Sequence, residues 1–153
     1  MALTKKQLEY QRQWRKDHPE EYRAQQIRTR RSRHKKMAND IDFFIDQSYK
    51  SLKNGAKVRD IPFNISKKQL SNAIKAATHC STTGRKLTRD TNCPNRISID
   101  RIDNRYGYSA KNIQVVCAEA NIHRLDSTLE DFIKLALDIT KHQRKKNAKR
   151  KSR

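Results

Sequence analysis

Residues 97–117 of the chain read ISIDRIDNRYGYSAKNIQVVC. Two short apolar runs, 97–102 and 113–117, flank a polar segment of ten residues. That segment carries turn-forming residues at Asp103, Asn104 and Gly107. The pattern predicts two strands joined by a ten-residue loop, followed by a helix that starts near Ala118. We therefore expect a ββα unit at 97–124.

The sequence on either side of this unit predicts helices. Apolar residues recur at a helical period over 41–52 and again over 70–77. Capping boxes, in which Ser or Thr is followed three residues later by Glu or Gln, predict helix starts at Thr4, Ser66 and Ser127. Pro19 suits the first turn of a further helix. The expected fold class is α+β and mainly helical.

The charge of the chain indicates a polyanionic partner. Lys and Arg number 36 against 16 Asp and Glu, which leaves a formal net charge of +20. The excess lies at the two ends: residues 1–36 and residues 141–153 each carry +8. Such clustering is typical of nucleic-acid binding. The basic ends lack the strong apolar face that a helix lying on a membrane would need.

Composition also limits the compartment and the class of protein. No apolar run reaches the roughly 20 residues of a membrane span, and the opening residues MALTKKQLEY contain no secretory signal core. Three cysteines without framework spacing fit a reducing cytosol better than a disulfide scaffold. These features predict a cytoplasmic protein with no membrane partner, and no protein partner is predicted.

Four segments are expected along the chain. Residues 1–40 are predicted to form a basic helical extension that binds DNA, and residues 41–78 a helical linker region. Residues 79–140 would form the ββα core and its following helix, and residues 141–153 a basic tail that is disordered on its own. In the extension, the residues expected to contact nucleic acid are Arg28, Arg30, Arg31, Arg33, Lys35 and Lys36.

The second helix of this extension has almost no apolar stripe and cannot bury a face. It is either solvated or laid on DNA phosphates. Tyr10, Trp14 and Tyr22 could pack the two helices together or lie against nucleic acid, and core packing is the expected role.

Residues 79–126 resemble the HNH nuclease family, also called His-Me finger or ββα-metal nucleases, of the small bacteriophage type. The motifs that carry the resemblance are CSTTG at 80–84, IDRID at 99–103, GY at 107–108, NIQVVC at 112–117 and NIHR at 121–124. The resemblance implies a ββα-metal core that hydrolyses phosphodiester bonds of double-stranded DNA with Mg²⁺ or Mn²⁺, and single-strand nicking is one form that this cleavage could take. It also implies location in the bacterial host cytoplasm.

The resemblance assigns roles to individual residues. Asp100, at the end of the first strand, and Asn121, early in the following helix, would hold the metal. Asn112 would brace the loop and orient the catalytic group. Arg124 would contact phosphate. Arg101 stands where the family has the histidine that activates water, and it would grip the scissile phosphate.

Arg101 cannot perform the chemistry of that histidine, because a guanidinium does not accept a proton at neutral pH. His79, His123, Tyr106 and Tyr108 remain as candidates for activating water, together with a metal-bound hydroxide or bulk water, and the sequence does not rank them. Asp100 and the amide oxygen of Asn121 are nonetheless hard oxygen ligands of the kind that Mg²⁺ takes.

Two alternatives stay open. Arg101 could mark an HNH fold that has lost catalysis and is kept for DNA binding, or the chain could be a basic RNA-binding protein, as charge alone would allow. Structural zinc is not expected, because Thr83 and Ala120 stand where HNH proteins with zinc knuckles have their second cysteines. Cys80 and Cys117 are expected to be buried as small apolar residues.

Overall fold

The structure, a computed structural model, describes residues 3–151 and is α+β and mainly helical, as predicted. Its elements are α1 (Lys5–Asp17), α2 (Pro19–Asn39), α3 (Ile41–Val58), α4 (Lys67–Ala76), β1 (Ile97–Arg101), β2 (Ile113–Cys117), α5 (Ala118–Arg124) and α6 (Leu129–Lys151). Among the described residues, no helix combines the length and hydropathy needed to cross a bilayer.

The strands β1 and β2 form an antiparallel pair and are followed directly by α5, so the predicted ββα order of elements is confirmed. Ile99 pairs with Val115, and Asp100 pairs with Gln114. The last three residues of each strand are buried, although Asp100 and Arg101 are charged. The Asp100 carboxylate therefore lies in the interior, where it contacts Arg124 at the end of α5.

The segment 41–78, expected to be a linker, instead supplies six of the nine residues of the main hydrophobic cluster. A two-stranded sheet is at best marginally stable alone and must pack against other elements. Here α3 and α4 cover it with the apolar stripes that the sequence predicts. The buried cluster consists of Phe44, Ile45, Ala56, Ile65, Leu70, Ile74, Ile99, Tyr108 and Val115.

Helices α1 and α2 form a hairpin that contains no buried residue, which confirms that α2 cannot bury a face. The expected packing role is wrong for Tyr10, whereas Trp14 and Tyr22 are half-buried and pack within the hairpin. Tyr10 is 71% exposed, and Trp14 stacks on His18 with ring centroids 5.0 Å apart. The Arg15 guanidinium lies 5.3 Å from the Tyr22 ring centroid, a cation–π contact in the hairpin.

The basic tail expected to be disordered continues α6 as helix through Lys151. Lys, Arg, Gln and Ala have high helix propensity, so a helix already started on apolar residues can extend through them. The helix also begins one residue later than its capping box predicts. The Thr128 hydroxyl, not that of Ser127, accepts a hydrogen bond from the Asp131 backbone N–H at 3.1 Å.

If α3 and α4 are part of the core, Leu70→Ala will lower the free energy of unfolding by about 2–5 kcal/mol, because Leu70 is fully buried. Urea unfolding followed by circular dichroism measures the change. Leu137→Ala on α6 is the matched control; its side chain is 63% exposed, and a change within about 0.5 kcal/mol is expected. Equal effects of the two substitutions would contradict this description of the core.

Candidate functional site

A cleft of about 530 Å³ lies between α2 and α3 on one side and the ββα unit on the other. It brings together the predicted site residues Asp100, Arg101 and Asn121 from β1 and α5. Arg33, from the basic helix α2, lines the opposite side. The lining also includes three charged residues that the sequence did not single out, namely Arg59, Arg96 and Asp126.

The Asp100 carboxylate is buried and held on both oxygens. Its Oδ1 accepts a hydrogen bond from Arg124 Nη2 at 2.7 Å, and its Oδ2 accepts one from Gln114 Nε2 at 3.0 Å. Gln114 reaches it because the two residues are paired across the strands. Each carboxylate oxygen has a second lone pair, so these contacts fix the direction of the group and leave acceptor capacity toward the cleft.

The sequence predicts that Arg124 contacts phosphate, but in the structure this side chain is buried. Arg124 is 3% exposed, and its guanidinium donates to Asp100 Oδ1, to the carbonyl of Arg101 and to the carbonyl of Ser127. A carboxylate buried as deeply as that of Asp100 requires a charged partner. Arg124 supplies that charge and has no surface to offer a phosphate in this conformation.

The predicted phosphate grip of Arg101 is also not supported by its contacts. Arg101 is 8% exposed, and its Nη1 donates to the carbonyls of Asn104 and Tyr106, each at 2.9 Å. Its Cζ lies 5.6 Å from the centroid of the Tyr108 ring. Backbone carbonyls of a loop that are removed from water need hydrogen-bond donors. The Arg101 guanidinium provides these donors. Arg101 lines the cleft but is engaged in holding the loop.

Asn112 braces the loop between the strands, the structural part of the role expected for it. Its Oδ1 accepts from the Asp103 N–H at 3.0 Å, while its Nδ2 donates to the carbonyls of Asp103 at 3.0 Å and Gly107 at 2.9 Å. Gly107 lies against Pro62, where a Cβ would come within 2.2 Å of the Pro62 carbonyl oxygen. The loop is thereby fixed from both sides. Any catalytic contribution of Asn112 stays a prediction.

Asn121 is oriented by one hydrogen bond, in which its Nδ2 donates to Ser98 Oγ at 2.8 Å. Its Oδ1 is an acceptor, so the cleft combines an amide oxygen with the carboxylate oxygens of Asp100 and Asp126. Within residues 3–151, no group of three or more His, Cys, Asp and Glu side chains is placed to hold a metal. Amide and carboxylate oxygens are ligands of the kind that Mg²⁺ or Mn²⁺ takes while keeping several waters, and metal binding by Asp100 and Asn121 stays a prediction.

None of the residues that line the cleft is a histidine. His79 and His123, two candidates for activating water, are exposed and lie outside the lining. Tyr106 is 63% exposed and is also absent from it. Tyr108 does line the cleft, but its hydroxyl accepts a hydrogen bond from Arg59 Nη2 at 3.1 Å.

Asp126 is the cleft residue that sequence reasoning missed and that has the chemistry of a proton acceptor. It is exposed, and it lies beyond the end of α5, five residues after Asn121. The only sequence signal for it was this nearness to Asn121. Arg59 and Arg96 carried no local signal, because only the packing of α3 against the ββα unit brings them to the cleft.

The six basic residues predicted to contact nucleic acid on α2 are all exposed; they are Arg28, Arg30, Arg31, Arg33, Lys35 and Lys36. Arg33 reaches the cleft, where its Nη2 donates to Gln47 Oε1 at 2.7 Å. Arg30 and Arg33 line an adjoining depression, and Arg28 and Lys36 line another that also includes Arg33. Their contact with nucleic acid stays a prediction.

Cys80 and Cys117 are buried, as predicted, and pack with Val116 and Ala120. The Cys117 backbone N–H donates to Cys80 Sγ at 3.1 Å, and that of Thr83 donates at 3.4 Å. Burial raises the pKa of the Cys80 thiol, but the hydrogen bonds from Thr83 and Cys117 together outweigh it and lower the pKa to about 7. These contacts describe a closely packed turn beside β2.

Comparison of this chain with protein-family models, with curated proteins and with solved structures finds no match. Arguments about function therefore depend on the residues of the cleft and their geometry.

The Asp100–Arg124 ion pair makes a prediction about stability. Arg124→Ala will lower the free energy of unfolding by about 3–5 kcal/mol, because it leaves a buried carboxylate without its partner. Urea unfolding checks this, and Asp100→Ala combined with Arg124→Ala should cost less than the sum of the single changes. Lys75→Ala, which removes an exposed ion pair with Asp42, should cost about 0.5 kcal/mol or less. Additive single changes would show that the two buried groups do not interact.

Proposed function

We propose that this chain is an HNH-type DNA endonuclease that hydrolyses phosphodiester bonds with Mg²⁺ or Mn²⁺. The observation that carries the proposal is the cleft itself. Asp100 and Asn121, which lie on different elements, line one space together with Arg33 of the basic helix α2. Oxygen ligands beside exposed arginines suit a metal-assisted reaction on a phosphate chain.

In this proposal, Asp100 and Asn121 hold the metal, and Gln114, Arg124 and Ser98 hold these two in place. Partners behind the ligands are a general feature of metal sites, where they orient the ligand atoms. The metal, when bound, acts as a Lewis acid that stabilises negative charge on the phosphate oxygens and on the leaving oxygen. The buried Arg124 then has a positioning role and not the phosphate contact expected from the sequence.

The remaining side chains of the cleft would bind phosphates, hold the loop and accept a proton. Arg33, Arg59 and Arg96 would bind phosphates on either side of the scissile bond, because guanidinium groups match phosphate oxygens in geometry and charge. Arg101 keeps the loop closed over Tyr108. Asp126 would accept the proton of the attacking water, a task that no guanidinium can perform.

A second candidate function is DNA binding without turnover. The observation that favours it is the pair of hydrogen bonds on Asp100, which give its carboxylate a structural role in the absence of any metal. The same cleft, with four arginines in its lining, would then bind a phosphate chain and leave it intact. The two candidates differ in one observable, the appearance of cut product.

Nicking of supercoiled plasmid in Mg²⁺, Mn²⁺ or EDTA separates the two functions. We expect metal-dependent nicking that falls by about 100-fold or more in Asp100→Asn, which removes the negative charge of a metal ligand, and in Asn121→Ala, which removes a metal ligand. Asp126→Asn should lose about 100-fold or more, the range of a general base. Asp100→Asn is chosen over alanine because it preserves the volume beside Arg124.

Matched controls are Asp138→Asn on α6 and Asn72→Ala on α4, both exposed and outside the cleft lining. Both should nick like the unaltered chain. Absence of nicking by every form, together with retained DNA binding and no binding of Mn²⁺ in titration calorimetry, would reject the enzyme and favour the second candidate.

A further inference from the structure

A groove continues from the cleft along α2. It is about 480 Å³ in volume and lies between α2 and the residues Thr91 and Asn92. Arg33, Met37 and Arg96 line both the groove and the cleft, so the two spaces meet. We call this space the α2 groove.

At its far end the α2 groove meets a third depression, of about 460 Å³, between α1 and α2. Gln26 and Thr29 line both spaces. The third depression contains Tyr10, Trp14 and Tyr22, and we call it the aromatic shelf. The cleft, the groove and the shelf thus follow one another along α2.

The positions on α2 that line this path recur at a helical period: Tyr22, Gln25, Gln26, Thr29, Arg30, Arg33, His34 and Met37. Residues at this spacing share one face of a helix. From Tyr22 to Met37 the helix rises about 22 Å. That length corresponds to on the order of six nucleotides at the 3.4 Å spacing of a stacked strand.

The charges of the residues that line the cleft, the α2 groove and the aromatic shelf suit the binding of a phosphate chain. The α2 groove is lined by Arg30, Arg33, Arg96 and His34, and no Asp or Glu is among its lining residues or those of the aromatic shelf. The carboxylates of the path, Asp100 and Asp126, lie in the cleft. A polyanion is therefore attracted along the groove and meets acidic groups only where the proposed chemistry takes place.

The aromatic side chains of the shelf are exposed in whole or in part. Tyr10 is 71% exposed, and Trp14 and Tyr22 are half-buried, so each keeps some accessible surface. Trp14 has His18 stacked on one face of its ring. Aromatic side chains beside a basic groove are the arrangement on which successive bases of a single strand stack.

The spaces are open depressions of 460–530 Å³ each, and one nucleotide fits in a space of this size. The aromatic shelf favours a single strand over a duplex, because unpaired bases are the ones free to stack on aromatic side chains.

We infer that the α1–α2 hairpin binds a single-stranded segment of DNA, with phosphates on Arg30, Arg33 and Arg96 and bases on Tyr10 and Trp14. Because this inference rests on the proposed function for the position of the cut, it specifies the substrate of that function. The substrate is DNA with a single-stranded arm that leads away from the scissile bond.

The test uses binding in EDTA, so it does not depend on cleavage. Trp14 is the only tryptophan of the chain, and stacking of a base on it will quench its fluorescence. We expect quenching by a twelve-residue oligothymidylate and by a duplex that carries the same arm, whereas the blunt duplex will leave the emission unchanged. Equal quenching by the blunt duplex, or single-strand binding without quenching, would overturn the inference.

Variants are compared by anisotropy of the labelled arm substrate. Trp14→Ala should weaken binding by on the order of tenfold, whereas Trp14→Phe should retain most of it. Arg30→Ala should weaken binding and reduce the salt dependence by about one phosphate contact. Lys53→Ala is the matched control: it removes the same charge from the exposed surface of α3, outside these spaces, and should leave both quantities unchanged.

An RNA oligonucleotide of the same base sequence is the remaining comparison. Tighter binding of the RNA would overturn the assignment to DNA. Nicking of plasmid without quenching by the arm would preserve the proposed endonuclease and reject this inference alone. Quenching without cleavage of either the plasmid or the duplex that carries the arm, and without binding of Mn²⁺ in calorimetry, would support the single-strand site and reject the enzyme.

Discussion

The buried ion pair between Asp100 and Arg124 is the interaction on which the ββα unit depends. Asp100 lies on β1 and Arg124 closes α5, so their 2.7 Å contact ties the helix to the strands. The same guanidinium holds the carbonyls of Arg101 and Ser127. One side chain thus joins the end of β1, the end of α5 and the approach to α6, and Gln114 adds β2 to the same group.

Burial of two charges has an energetic cost, and an apolar pair of the same volume would often give equal stability. What the charged pair adds is direction: a carboxylate held on both oxygens has one orientation, and Asp100 keeps its orientation toward the cleft. This is the property that a metal ligand needs and that a core side chain does not. By contrast, the neighbouring buried residues Cys80, Val116 and Cys117 pack together without any charged side chain.

Local patterns predicted the elements well because the relevant forces are local. The apolar runs of the strands, the capping box at Ser66 and the helical period of α3 each lie within a few residues of the chain. The contacts of Arg101 and Arg124 were not predictable in this way. Whether an arginine binds phosphate or a carbonyl depends on what the fold places beside it, and for Arg124 that partner is Asp100, 24 positions away. The roles of Arg59 and Arg96 depend likewise on the packing of α3 against the ββα unit.

The charged residues discussed above form two groups, the exposed basic residues of α2 and the carboxylates of the cleft. The basic residues of α2 are exposed, and the only contact of this helix with the main hydrophobic cluster among the described residues is the half-buried Met37, so their number can vary without disturbing the core. The cleft, by contrast, holds carboxylates in a chain whose net charge is +20. Under the proposed function, the exposed arginines would attract a phosphate chain from a distance, with a strength that falls as salt rises. Asp100, Asn121 and Asp126 would then act on the phosphate that reaches the cleft. A loss of catalysis would leave DNA binding largely intact on this proposal, because the two would depend on different side chains.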